Sequence, residues 1–169
     1  KKLSEKAFRM QSVRALWDSS YSDDTPLYSS YGEIMPFLPW LNDVIDSSYP
    51  NTKISISEYS FGGGGDMSGC ISQVDALGAF AENNVYLACL VLDDVNSYQK
   101  TGVNLFTDYD YNGSRVGNIS VRSETDDYTA SCYAMCDEVE TGRMWVILCN
   151  KNLSEDKTFS LDIRSDREY

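Results

Sequence analysis

The sequence contains no histidine, and that absence removes more chemistry than any motif present. A Ser-His-Asp triad, a Cys-His dyad, a histidine-ligated zinc and a histidine-ligated haem are all excluded within these 169 residues. Acid–base or nucleophilic work falls to carboxylate, Cys, Lys, Tyr, Ser or Thr. Basic residues are also scarce: 14 Lys and Arg stand against 26 Asp and Glu, a net charge of −12. Such a balance repels phosphate backbones and anionic membrane surfaces, so neither nucleic acid nor a membrane is an expected partner. No apolar run approaches the ~18 residues of a membrane span, and the start Lys1-Lys2-Leu3-Ser4-Glu5-Lys6 lacks the apolar stretch of a signal peptide. No Cys-x-x-Cys pair occurs, and the five cysteines (Cys70, Cys89, Cys132, Cys136, Cys149) are an odd number. Flanks such as Ala88-Cys89-Leu90 read as buried small hydrophobes, while a bridge from Cys149 to Cys132 or Cys136 between neighbouring strands is the alternative. The aspartate pairs Asp108/Asp110 and Asp126/Asp127 do not build an Asp-x-Asp-x-Asp-Gly calcium loop. No metal and no cofactor are expected.

What is abundant is aromatic: 12 Tyr, 6 Phe and 3 Trp in a chain that is 42% hydrophobic. That composition excludes disorder and requires a core. The length suits one globular domain and falls short of the ~250 residues of a complete (β/α)₈ barrel.

Apolar residues at Ile34, Phe37, Leu38, Leu41, Val44 and Ile45 predict a helix over 33–48, stopped by Tyr49-Pro50-Asn51. Alternation over 53–57, running on through Glu58-Tyr59-Ser60-Phe61, predicts a strand, and Gly62-Gly63-Gly64-Gly65 ends it. A helix over 68–81 follows, and then a nearly continuous apolar run over 85–92, the pattern of a strand buried on both faces. The sum is a β-α-β unit, with Asp93-Asp94 in the following loop. After Gly113 the pattern changes to β-prone runs over 128–135, 143–149 and 158–163, as in an antiparallel meander. Two parallel strands and three antiparallel ones close no core alone, so a fragment of a larger fold is expected.

Glu58 is the strongest catalytic candidate. It lies at the C-terminal end of a strand entering a β-α unit, the sheet edge where such folds place catalytic groups. A structural Glu paired to a neighbouring Arg or backbone amide is the other reading. The glycine run lacks the Lys-Ser/Thr of a P-loop; it reads as a connector or as a loop letting a bulky ligand approach the backbone beside Glu58. Trp17, Tyr21, Tyr28 and Tyr31, with Asp18, Asp23 and Asp24, mix rings that stack on sugars with carboxylates that accept from hydroxyls. A packing lid has the same composition. Trp17, Tyr21, Tyr28 and Tyr59 are the candidate substrate-binding residues.

The blocks Phe8-Arg9-Met10-Gln11-Ser12-Val13-Arg14-Ala15-Leu16-Trp17-Asp18, Lys53-Ile54-Ser55-Ile56-Ser57-Glu58-Tyr59-Ser60-Phe61-Gly62-Gly63 and Ser68-Gly69-Cys70-Ile71-Ser72-Gln73-Val74-Asp75-Ala76-Leu77-Gly78 resemble glycoside hydrolase family 44. The likeness continues in order through Ser123-Glu124-Thr125 and Val146-Ile147-Leu148-Cys149-Asn150-Lys151-Asn152. It implies a secreted or cell-surface bacterial endo-β-1,4-glucanase acting on cellulose, xyloglucan or mixed-linkage glucan. It also implies the last strands and helices of a (β/α)₈ barrel over 1–112, and C-terminal strands of a β-sandwich over 113–169. In the family the Glu of the Thr/Ser-Glu-Tyr-Asn motif is the nucleophile of a retaining mechanism, a role that carries over to Glu58. The general acid would come from an earlier strand, so the remainder of the same polypeptide is an implied partner. This sequence departs from the family at Ser60 (Asn there) and at Val91, Pro26 and Ser30 (Trp there), where Tyr28, Tyr31 and Tyr98 are the available replacement rings. Those departures define the alternative: a divergent, non-catalytic glycan-binding or structural protein on the same scaffold.

Overall fold

The computed structural model describes residues 4–22, 30, 36–92, 94, 96–138 and 142–164. Serine and aspartate side chains cap three of its described helices, while Pro36 precedes the helix Phe37–Ser48 without a side-chain cap. Ser4 accepts from the Ala7 amide ahead of α1 (Glu5–Ser12), which continues as a 3₁₀ turn (Val13–Leu16). Helix α2 (Phe37–Ser48) precedes strand β1 (Ile54–Tyr59). Asp66 then caps α3 (Met67–Glu82), which leads to β2 (Val85–Leu90), and Ser97 caps α4 (Tyr98–Thr107). β3 (Ile119–Val121), β4 (Ala130–Cys136) and β5 (Met144–Asn150) follow.

β1 and β2 pair in parallel, with α3 as the crossover. β3, β4 and β5 form a separate antiparallel sheet in sequence order. α3 is the wall between two cores. On one side Val13, Leu38, Ala76 and Phe80 pack with Ile56, Tyr59 and Val85 from the parallel strands. On the other, Val74 packs with Tyr133, Met135 and Cys149, joined by Leu105 and Phe106 of α4. Eleven of the sixteen residues of α3 are buried, so its sequence carries apolar and small residues on nearly every face. Small residues are needed for the close approach: a Cβ at Gly78 would lie 2.0 Å from Cε1 of Tyr133.

Several expectations need correction. β2 is not buried on both faces: Tyr86, Leu87 and Cys89 are exposed, and the Tyr86 ring carries the Lys53 ammonium 4.1 Å from its centroid. The strand expected over 158–163 does not form. Its apolar residues alternate, but 158–164 finds no ladder partner, and Leu161 and Ile163 stay exposed. All five cysteines are free. Cys132 faces Leu148 across the β4–β5 ladder and Cys149 faces Ser131, so the period-two alternation turns the Cys132 and Cys149 side chains to opposite faces. Cys136 sits opposite Met144, five residues along the strand from Cys149.

Candidate active site

Glu58 occupies the C-terminal end of β1, exposed, on the side of the sheet away from α3. Strict alternation would not put it there. Ile54 is buried and Ile56 half-buried toward the helices, so period two would send residue 58 to the same side. The register slips instead: Ile56 pairs with Ala88 and Tyr59 with Leu90, leaving Ser57 and Glu58 together opposite Cys89. An extra residue in one strand re-aims the side chains that follow it, a device common beside active sites. Here it frees Glu58 from the helix face and returns Tyr59 to it.

Two buried glutamines hold the strand on either side of that slip. Gln73 of α3 donates to the Tyr59 hydroxyl at 2.6 Å, and Gln99 of α4 donates to Oγ of Ser60 at 2.9 Å. Both glutamines are 1% exposed. Tyr59 also packs edge-on against Phe80, with ring centroids 5.0 Å apart, and burial pushes its phenol above the ordinary range. The ring proposed for sugar contact is therefore turned into the helical layer and away from the exposed face of Glu58. The Ser60 hydroxyl also accepts from the Gly62 amide at 3.1 Å.

The first three glycines beyond Glu58 meet the chain's own helices, while Gly65 is exposed with open space at its Cβ position. Gly62 and Gly63 have φ of +67° and +76°, which favours glycine. Oxygen atoms of this loop meet α3 so closely that a Cβ at Gly69 would lie 2.0 Å from the Gly63 carbonyl oxygen. The Gly64 carbonyl accepts the Tyr98 amide at 2.9 Å. Arg9 of α1 packs on Gly63 and donates to the Ser68 hydroxyl and, at 2.9 Å, to Glu5. The connector reading fits this packing. Asp94, in the loop after β2, accepts the Asn96 amide at 2.6 Å and so shapes the approach to α4.

Trp17 and Tyr21 are not brought to Glu58. Trp17 lines a groove with Glu82 and Asn83 at the C-terminal end of α3, and Glu58 is not among the residues of that groove. Tyr21 stacks on the Arg14 guanidinium, 4.9 Å from its ring centroid. Tyr28, Tyr31, Pro26, Asp23 and Asp24 lie outside the described residues, as does Asp93. Val91 is exposed just past β2, where its amide donates to the Tyr59 carbonyl at 2.9 Å. Sequence reading missed the two glutamines. A polar residue inside an otherwise apolar helix such as α3 is the signal that marks Gln73, and the Ser97 cap fixes the start of the helix that carries Gln99. Among the described residues, no group of three or more Cys, Asp or Glu side chains is arranged to hold a metal ion.

The parallel pair thus presents an exposed glutamate at its C-terminal edge, and comparisons with known proteins place the chain among glycoside hydrolases. No protein-family model matches the chain. Endoglucanase A of Paenibacillus lautus is 33% identical over 163 residues, which is 95% of this chain and 23% of that protein. Among solved structures, the glycoside hydrolase family 44 endoglucanase of Clostridium thermocellum superposes with a TM-score of 0.83 at 40% identity, over 87% of this chain and 29% of the other. The family 44 xyloglucanase of Paenibacillus polymyxa, solved with xyloglucan, gives 0.83 at 34% identity, over 89% and 30%. The resemblance to family 44 read from the sequence is borne out in both sequence and fold. The chain spans about a quarter of the length of that curated relative and under a third of those structures.

Proposed function

We propose that this chain is part of a retaining endo-β-1,4-glucanase of the family 44 type, with Glu58 as its nucleophile. The observation that carries the reading is the position of Glu58: exposed at the C-terminal edge of a parallel strand, on a register slip that turns it away from the helices. The similarity to endoglucanases and to a xyloglucanase supports a β-linked glucan of the cellulose, xyloglucan or mixed-linkage kind as substrate. In this reading residues 1–112 contribute the closing strands and helices of a (β/α)₈ barrel, and 113–169 contribute to a β-sandwich. The exposed Leu87 and Cys89 of β2 are then positions that further parts of the barrel cover.

The chemistry follows from two carboxyl groups ~5 Å apart. The Glu58 carboxylate attacks the anomeric carbon while a second Glu protonates the departing glycosidic oxygen. The C–O bond breaks as the Glu58 ester forms. Water then attacks the same carbon, the second Glu removes its proton, and the Glu58 carboxylate leaves with the electron pair of the ester bond. The second Glu belongs to another strand of the same polypeptide, outside this chain, so the 169 residues alone are expected to be inactive. Secretion by a bacterium fits a polymeric substrate outside the cell.

The test is hydrolysis of barley β-glucan and of xyloglucan by the intact protein before and after Glu58→Gln. Loss of more than about 10³ in kcat is expected for a missing nucleophile. Added azide should restore turnover in Glu58→Ala and release the inverted glycosyl azide. Equal activity in the parent and Glu58→Gln rejects the assignment. Binding of glucan by a parent that never hydrolyses it identifies the non-catalytic alternative.

A further inference from the structure

We propose that the groove between the helical layer and the three-stranded sheet is a second glycan-binding site, with Glu58 outside its lining, that takes a neutral β-linked oligosaccharide and performs no hydrolysis. The groove has a volume of about 770 Å³ and runs from Trp17, Pro39 and Asn83 to Glu124, Asp126 and Tyr128. A groove of this size suits a ligand of a few sugar rings.

Two rings in it are exposed, and one of them, Tyr128, is held in place. Trp17 is 43% exposed and Tyr128 is 65% exposed. Arg14 fixes one end: its guanidinium lies 5.4 Å from the Tyr128 ring centroid and 4.9 Å from that of Tyr21. The guanidinium is itself pinned by Asp18, at 2.7 Å from Nη2 and 2.8 Å from Nε. Gln11, buried in α1, donates to the Tyr128 carbonyl at 3.2 Å and accepts from Arg14. An aromatic face immobilised before binding loses little entropy when a sugar stacks on it. The rest of the lining supplies hydroxyl partners: the Asn83 and Ser120 side chains and the carboxylates of Glu124 and Asp126.

Charge selects the ligand class. Five carboxylates line the groove against three cations. Of the cations, Arg14 is taken by Asp18, Arg122 by Glu124 and the buried Lys151 by Asp75. A phosphate or a uronate thus meets excess negative charge, while a neutral glucan meets none that repels it. The choice of a glucan rests on the function proposed above; the groove itself rests on its own rings. Glu58 is not part of its lining, which lies by the C-terminal end of α3.

The experiment uses the intact protein carrying Glu58→Gln, so that ligand is bound and not consumed, with cellohexaose as the probe. Hydrogen exchange should slow over 14–21 and 120–130 as well as near residue 58. Absence of protection over 14–21 and 120–130 overturns the groove, whatever happens at 58. Protection in the groove with none near 58 overturns the catalytic reading alone. In parallel, Trp17→Ala and Tyr128→Ala, both at exposed positions, should weaken retention in a xyloglucan-containing gel by about fivefold each, the loss of one stacking contact. Their kcat/KM on cellotetraose should stay at the parental value. Unchanged retention in both variants overturns the proposal, as does an equal loss of retention and of cellotetraose turnover.

Discussion

Lys151 Nζ lies 3.0 Å from Asp75 Oδ2, with each side chain 4% exposed. Asp75 comes from α3 and Lys151 from the residue after β5, so the pair joins the helical layer to the antiparallel sheet. The other carboxylate oxygen of Asp75 accepts from the Ser131 hydroxyl and, at 3.2 Å, from the Tyr133 hydroxyl. Burial first, and then the Asp75 charge, push the Tyr133 phenol far above its ordinary range. Desolvating two charges is costly, and an arrangement of this kind persists when the remaining lone pairs are satisfied as they are here. Lys151→Met should therefore cost about 3–5 kcal/mol, because it strands a buried carboxylate. The double variant Asp75→Leu with Lys151→Met should recover most of that loss. Urea unfolding of the three proteins checks both statements, and additive losses would contradict them.

The slip that exposes Glu58 depends on partners from two helices. Gln99→Leu removes the donor to Ser60 and leaves that hydroxyl bonded to the Gly62 amide alone. On the proposed mechanism, kcat should fall by roughly tenfold while KM changes little, since the carboxylate is displaced and the sugar contacts are not. Gln73→Leu should act likewise through Tyr59. Steady-state kinetics on β-glucan separates the two parameters.

Asp127 sets a low-pH limit on the sheet region. Its carboxyl is held far below the usual carboxylate range by the Lys157 ammonium and then by the Thr129 hydroxyl and amide. A depressed folded-state value means the stabilisation is fully present above the unfolded value near ~3.9 and is lost as pH falls below it. The melting temperature of the parent should thus drop more steeply from pH 4 toward pH 2 than that of Asp127→Asn. Parallel melting curves for the two would remove Asp127 from this role.

Thiol chemistry should be confined by burial. Burial pushes the Cys149 thiol up to about 12, helped by the Asp75 charge, and raises Cys70 too. At pH 8 an aromatic disulfide reagent should leave Cys70 and Cys149 unmodified in the native protein and label both in guanidinium. Mass mapping of labelled peptides reads the result; native labelling of Cys149 would show that the core between α3 and β5 opens readily.

Much of this architecture was legible where a period governs burial. The strand at Ile54 and the long helix after Asp66 declare themselves through alternation and small-residue packing, and the meander through turn spacing. Glu58 was legible as a strand-end carboxylate, yet alternation alone aims it at the helices. The register slip is set by pairing with β2 and by two glutamines from distant helices, which no local pattern encodes. Tyr59 was misplaced for the same reason. The failed strand over 158–163 shows the converse: β3 and β5 both keep a free edge, yet the alternating run pairs with neither, so alternation alone does not make a strand.

Gln73 and Asp75 stand two positions apart on α3, about 200° around its axis. One reaches forward to Tyr59 and the other back to Lys151. The antiparallel sheet is for this reason a poor candidate for removal by a protein engineer seeking a smaller enzyme. Cutting the polypeptide near Gly113 would uncover Val74, empty the cleft that Gly78 opens for Tyr133, and leave the Asp75 carboxylate without a cation. The damage would fall on the rear of the same helix whose front anchors the strand that carries Glu58. A minimal version of this protein has to keep the segment through Lys151, even though Lys151 lies 93 positions beyond Glu58 in the sequence.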